Sequence, residues 1–572
     1  MIRRTTFIFS IVMALTTLVS HEPVMSHITA QVSEIVEGDL GKKLDGYFTR
    51  AEAFGFSGAI LVEKEGEIIL KKGYGWADVS NEIAVTPETI FSIESLSKQY
   101  TATALLKLES EGKLSLSDPI SKFFPDVPEE KRSITIHQLL THTSGLAHED
   151  DSLYVQNPDR DQMVSMVMSS ELSAPPSQKF IYSNTGYTLL AAIVEIASGM
   201  DFETYMRDNL AGPAGLSTLH FKGDTSNDSD MVFTHTYNRN NDYGPVNDRP
   251  YYWGYRGAAG ILTSLNQLYS WMKALRSFEI LQQKDYTKLT TPQTSTSWSD
   301  NIEYAYGWMV IKSDRGTKFI HHGGGNYPAG STAELRWFPE ENLLYIILCN
   351  KMIDETGYVL FARRALEEIV FKGETDFPPE YLPDYPSNID VLTGIYTIDD
   401  SSSILIGKEQ GKLTIGAMGQ TAVDVLTETP EFNDAESGGE KTNHVKKYIG
   451  KPVRELKPFW GDIPADAIIS EVLGTVKDRP ESNFSATIIR VQNFPGVKEM
   501  RIMWNRNEIR YWMPGGGLPG SMALMPTAEN EFVAYDILLK CRKTVRFNYQ
   551  NGNVVGLTIS SGATNIEATK IN

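Results

Sequence analysis

Two kinds of hydrophobic pattern divide the chain. From about Glu34 to Lys372, short β-rich runs alternate with stretches of helical period. "FSGAILVEKEGEIILKKGYG" (Phe56 to Gly75) sets two β-rich runs around the turn "KEGE" and predicts a hairpin. Leu96, Tyr100, Ala104 and Leu108 recur at four-residue spacing and predict a helix from about Ser95, stopping at Gly112. "TGYTLLAAIVEIASG", with Gly199 as its stop, and "SLNQLYSWMKALRS" predict two more helices. "RGTKFIHHGGG" and "AELRWFPEENLLYIILCN" read as adjacent strands, and "GYVLFARRALEEIVFK" as a closing helix. A sheet shared by N-terminal and C-terminal strands, with helices between them, fits an α/β or α+β domain over residues 31–377.

After the Pro-rich break "PPEYLPDYP" in residues 378–387, the pattern changes to short strands: "LTGIYTI", "SILIGKE", "KLTIGAM", "ATIIRVQNF", "EMRIMW", "EIRYWMP" and "TVRFNYQNGNVVGLTIS". Six or more strands with turn signals such as "QNGN" predict an antiparallel barrel or sandwich over residues 388–572. A segment around 430–480 interrupts it and is read as carrying a helix.

Composition narrows the function. A chain of 572 residues with 41% hydrophobic and 10% aromatic content can bury several cores. A formal net charge of −19, without clustered Lys and Arg, argues against a nucleic-acid partner. Arg3 and Arg4 followed by "TFIFSIVMALTTLVS" read as a secretory signal peptide over residues 1–30, cut near Ser20 or Ala30. That places the protein in a secreted or periplasmic setting, with no membrane span after signal removal. Cys349 and Cys541, in separate predicted strands, read as two buried thiols. No dense His/Asp cluster or HExxH occurs, so neither a metal nor a cofactor is expected.

Candidate chemistry centres on "FSIESLSKQYTATALL". A serine hydroxyl needs a nearby base to act as a nucleophile. Residues three apart share a helix face, so Ser95 and Lys98 are neighbours, whereas Ser97 points about 100° away and Ser92 lies upstream. Ser95 at the helix start is therefore the candidate.

This stretch resembles the nucleophile region of the serine β-lactamase and penicillin-binding-protein superfamily. It is closest to the branch of class C β-lactamases, D-Ala-D-Ala carboxypeptidases, D-aminopeptidases and related esterases. Two further family elements follow in order: Tyr-x-Asn as Tyr182-Ser183-Asn184, and His-x-Gly as His322-Gly323-Gly324. His321-Gly323 offers an alternative register for the last.

The resemblance implies a β-lactamase/transpeptidase-like domain followed by a lipocalin-like barrel. It further implies an acyl-enzyme on Ser95, with Lys98 and Tyr182 sharing the proton work and Lys98 lowering the pKa of Tyr182. Asn184 would position Lys98 and bind the substrate amide. The Ser95 N–H and one near Gly325 would form the oxyanion hole, Gly324 and Gly325 allowing close approach. His322 would orient Tyr182 or, when protonated, pair with a substrate carboxylate. His142 in "THTSG" would hold a loop. Glu94 departs from the small residue usual in the family; it would either shift Lys98's proton affinity or face solvent. The substrate expected is a small peptide or amide of D-amino-acid or cell-wall type. A carboxylesterase or weak β-lactamase is the rival within the family, and an inactive penicillin-recognising protein the rival outside catalysis. Oligomeric state is left open.

Overall fold

The computed structural model describes residues 34–571 except 149–157, 217–218, 225–230, 239–240, 327–328, 353–356, 387, 410, 419, 427–437, 457–466, 478–483, 493–498, 506–507, 516–521, 537–540 and 562–563. The expected signal peptide and its cleavage sites lie outside the described residues.

The predicted hairpin forms as Gly58–Lys64 and Glu67–Tyr74. Its two turn residues, Glu65 and Gly66, both take positive φ (55° and 85°). That is the handedness a two-residue hairpin needs to match strand twist. Gly58–Lys64 pairs antiparallel with Leu343–Cys349, so the two ends of the domain meet inside one nine-stranded sheet. From that centre the sheet continues through Ser331–Phe338 and Lys318–Asn326 to Met309–Lys312.

All seven residues of Leu343–Cys349 are buried, because both faces of the sheet are covered. Leu344, Ile346 and Leu348 enter a core with the helices Lys98–Ser110, Asn184–Ser198 and Leu265–Arg276. Leu343, Tyr345, Ile347 and Cys349 enter a second core with the helices Gly38–Ala53 and Gly357–Lys372. The alternation follows from the two-residue period of a strand. Cys349 is a buried free thiol.

The C-terminal strands close into an eight-stranded antiparallel barrel. Its interior is filled by apolar side chains, among them Tyr396, Leu413, Leu524, Phe532, Phe547 and Leu557. The hairpin Cys541–Gln550/Asn553–Ser561 turns on Asn551 and Gly552, again with positive φ.

Three strands expected in the barrel are not part of it. "ATIIRVQNF", "EMRIMW" and "EIRYWMP" join Ile468–Lys477 in a separate four-stranded sheet with its own core. This sheet and two helices are inserted between barrel strands Lys412–Met418 and Met522–Ala528, so the interruption is longer than expected. Strand character shows in a sequence, but the choice of partner does not.

The Pro-rich segment is fastened rather than slack. Leu382 N–H donates to Pro526 O at 2.7 Å, and the Tyr385 hydroxyl donates to Leu524 O at 2.6 Å. Met525, Val533 and Tyr535 of the barrel enter the second core of the N-terminal domain, with the Tyr535 ring 5.4 Å from Phe54. Deleting a large buried aromatic costs about 3 kcal/mol or more. Tyr535→Ala should therefore lower the urea midpoint of the N-terminal domain together with that of the barrel. Tryptophan fluorescence and circular dichroism would check this; a shift confined to the barrel would show that the contact does not couple them.

Candidate active site

The chain enters the site through a short ribbon in which Phe91–Ser92 pairs with Ile261–Thr263. It then makes a single 3-10 turn, Glu94–Ser97, before the α-helix starts at Lys98 rather than at Ser95. In a 3-10 turn positions i and i+3 eclipse each other. Lys98 Nζ accordingly lies 3.2 Å from Ser95 Oγ. The neighbouring serines are engaged elsewhere. Ser92 Oγ donates to Glu94 Oε1 at 2.7 Å, and Ser97 Oγ accepts the Ile261 N–H at 3.3 Å.

Lys98 is fully buried. Its Nζ also donates to Asn184 Oδ1 at 2.7 Å and to Ala258 O at 2.9 Å, and sits 4.9 Å from the centre of the Tyr182 ring. Asn184 opens the helix Asn184–Ser198, whose first turn is capped by Ser183 Oγ accepting the Gly186 N–H.

Tyr182, just before that helix, is held from two sides. His148 Nδ1 donates to its carbonyl at 2.7 Å, and the His142 ring packs against its ring at 4.3 Å. His142 Nδ1 accepts the Ser183 N–H at 3.0 Å. Its own backbone is left-handed, with φ of 59°. Burial and the charge of Lys98 hold the His142 ring neutral, well below the usual histidine range. Trp298 completes an aromatic wall, 5.6 Å from Tyr182 and 5.1 Å from Phe180.

The glycine triplet lies within the extended strand Lys318–Asn326 and is not a turn. Met309–Lys312 covers one edge of this strand only through His321, while Ser331–Phe338 covers the other edge through Asn326. From His322 onward the first edge is open to the nucleophile turn. At Gly324 close approach demands glycine. A Cβ there would fall 2.0 Å from Ile93 O and 3.0 Å from Ser95 N. At Gly323 it would make only ordinary contacts, the nearest at 3.7 Å. Gly325 pairs with Thr332 on the covered edge.

Strand alternation separates the two histidines. His321 Nδ1 donates to Leu335 O at 3.2 Å and lies 3.6 Å from Glu334. His322 faces the site, its ring 6.3 Å from Tyr182. Its Nδ1 donates to Gly323 O at 2.6 Å, which leaves Nε2 to accept the Tyr304 hydroxyl at 3.2 Å. Burial, and then the charge of Lys98, push the His322 pKa down to about 3. A ring held neutral fits the orienting role expected of His322 better than pairing with a substrate carboxylate.

Glu94 does not face solvent. It is buried and paired with Lys222, which donates to both carboxylate oxygens at 2.9 Å. Its φ of 46° is left-handed, which costs a non-glycine residue roughly 1–3 kcal/mol. Sequence reasoning did not find Lys222, Tyr304, His148 or the carbonyl of Ala258. None carries a motif, and each reaches the site from a distant segment. Among the described residues no group of His, Cys, Asp and Glu could hold a metal ion. Among them, too, no helix is long and apolar enough to cross a membrane.

Comparison with known proteins follows this geometry. Penicillin-binding protein 4* of Bacillus subtilis (strain 168) is 26% identical over 403 residues, 66% of this chain and 87% of that protein. A putative penicillin-binding protein, PbpX, of the same strain is 30% identical over 284 residues, 49% of this chain and 70% of its own. The octameric penicillin-binding protein homologue from Pyrococcus abyssi shares the fold with a TM-score of 0.51 at 19% identity, over 93% of this chain and 100% of that one. D-amino acid amidase from Ochrobactrum anthropi SV3 does so with a TM-score of 0.51 at 20% identity, over 59% of this chain and 100% of its own. The family model described as Beta-lactamase matches residues 50–367, more than half of the sequence, and the chain belongs to that family.

Proposed function

We propose that the protein is an exported serine hydrolase that forms an acyl-enzyme on Ser95 and cleaves small amides or peptides of D-amino-acid type. The observation that carries this reading is the placement of Lys98 Nζ between Ser95 Oγ, Asn184 Oδ1 and Ala258 O. Asn184 Oδ1 and the Ala258 carbonyl can only accept. As an ammonium, Lys98 satisfies both and turns its third N–H to Ser95 Oγ, holding the hydroxyl for Tyr182 to take its proton. The ammonium keeps the same two oxygens throughout, so neither partner has to move.

Ser95 Oγ then adds to the substrate carbonyl, and the Ser95 N–H on the turn, with an N–H near Gly325, stabilises the oxyanion; such a donor is worth about 3 kcal/mol. Tyr182 returns the proton to the leaving nitrogen or oxygen, the acyl group stays on Ser95, and water repeats the sequence to release it. The penicillin-binding relatives and the D-amino acid amidase likeness support the substrate class. The neutral His322 favours substrates without a carboxylate beside the scissile bond. The barrel is read as a lipocalin-like appendage that braces the second core.

Intact mass spectrometry with a fluorophosphonate tests the reading. One adduct is expected on the wild type and none on Ser95→Ala. Labelling should slow by about 10²–10⁴-fold in Lys98→Ala, the range for loss of a group positioned for proton transfer. An adduct that persists in Ser95→Ala would move the nucleophile elsewhere, and a wild type that never labels would favour a binding protein.

Gly324→Ala places a methyl group against Ile93 O. It should abolish labelling while Gly323→Ala leaves it within about threefold, since a misplacement of about 1 Å costs some 10²-fold. Equal rates would show that the open strand edge does not approach the turn as described.

D-aminoacyl amides and anilides should be cleaved at least about tenfold faster than the corresponding free-carboxylate peptides, the value of one missing charge-assisted hydrogen bond. Because His322 takes up its proton only near 3, it stays neutral as pH falls from about 8 to 5. His322→Gln should leave the shape of the kcat/KM profile unchanged over that window. A wild-type inflection near 6.5 that the variant removes would refute the neutral assignment.

A further inference from the structure

The buried charge pair beside the nucleophile has no part in the proton transfers above. Glu94 immediately precedes Ser95 in the chain. Its peptide is held with φ of 46°, a conformation glycine adopts freely and glutamate does not. The residue is 4% exposed, and its carboxylate accepts from Lys222 Nζ at 2.9 Å on each oxygen and from Ser92 Oγ at 2.7 Å.

Lys222 follows the strand His220–Phe221, the outer strand of a three-stranded ribbon; Ile261–Thr263 is its centre and Phe91–Ser92 its other edge. The pair thus bridges the two outer strands at the point where one of them turns into the nucleophile. Lys222 is itself 3% exposed, and its Nζ lies 5.0 Å from the centre of the Tyr255 ring. Its backbone N–H donates to Gly260 O at 2.9 Å, two residues past the carbonyl that holds Lys98.

We propose that Glu94 and Lys222 are positioning residues: a buried clamp that fixes the nucleophile turn, and with it the Ser95 N–H and hydroxyl, against the strand at Gly324. The inference rests on the hydrolase reading of Ser95. A side chain tied at both carboxylate oxygens can hold a backbone conformation its own residue type disfavours. Loosening it swings the Ser95 peptide, which lies 3.0 Å from where a Cβ of Gly324 would stand. Lys222 also keeps the buried Glu94 carboxylate neutralised, so removing Lys222 alone leaves an unpaired anion one residue from the nucleophile.

The test compares the full mature chain with Glu94→Gln, Lys222→Met and the double variant E94G/K222M, which removes both charges of the pair and relieves the strained φ. Fluorophosphonate acylation rates, kcat and KM for a p-nitrophenyl ester, and melting temperature are read for each. The clamp predicts kcat and acylation slowed by about ten- to a hundredfold in both single variants, with KM within about threefold. It also predicts that the double variant melts close to the wild type yet acylates no faster than the slower single, because the two residues act as one unit. A double variant, or either single, that is folded and acylates at the wild-type rate overturns the clamp. Loss of rate only in step with loss of folded protein reduces the pair to a structural role and overturns it too. A wild type that takes no adduct fails differently: it removes the hydrolase reading, and the clamp with it.

Discussion

A fully buried lysine amine makes the strongest demand in this molecule. Transferring an ammonium out of water carries a penalty of several kcal/mol even after relaxation, so its partners must be in place before the charge can be tolerated. Lys98 obtains them from three separate segments: the turn that carries Ser95, the start of the helix that carries Asn184, and the carbonyl of Ala258. Each segment is fixed in turn by something that does not touch the reaction. Glu94 and Lys222 hold the turn, His142 and Ser183 hold the helix start, and Gly257 closes in on the Tyr187 carbonyl. Burial, and then the same charge, keep the His142 and His322 imidazoles neutral, since each would otherwise add a second positive charge to a dry pocket.

That arrangement needs a rigid base, which the nine-stranded sheet supplies. Because its central strands are buried on both faces, a shift in register would move apolar residues from one core into the other, so the sheet has one stable alignment. The open edge from His322 to Asn326 is therefore delivered to the nucleophile turn at a fixed distance, and Gly324 marks where backbone meets backbone. The barrel adds to this stiffness from behind, through Met525, Val533 and Tyr535 in the second core.

The legible parts of the sequence were those whose geometry is local. The spacing of Ser95 and Lys98, the stop at Gly199, the turns at Glu65-Gly66 and Asn551-Gly552, and the unbroken apolar run of Leu343–Cys349 each state their own structure within a few residues. The rest depends on pairings that no local pattern encodes. Lys222 lies 128 residues from Glu94, and nothing in "HFKGD" announces a carboxylate partner. Tyr304 meets His322 only because the sheet brings together two strands joined through a third, Met309–Lys312. The strands of the inserted sheet look like those of the barrel, since each has the same period and composition. Only the closure of the barrel without them reveals the difference.

The departures from expectation share a physical origin. Glu94 was expected to speak to Lys98 or to solvent because a carboxylate beside a nucleophile has those two outlets in a sequence. The fold supplies a third, a buried cation on the far side of the turn. His322 was expected to alternate between orienting a tyrosine and binding a carboxylate because an exposed imidazole titrates near neutrality. Burial tips that choice toward the neutral, orienting form. Its Nδ1 proton is committed to the Gly323 carbonyl and its Nε2 lone pair to Tyr304, whose own buried hydroxyl is held well above its ordinary pKa and so remains a donor. With Lys222 neutralised by Glu94 and the His142 and His322 rings neutral, the positive charge of Lys98 is reserved for the proton transfers at Ser95. Recognition of the rest of the substrate then falls to the open strand edge and the aromatic wall of Tyr182, Phe180 and Trp298.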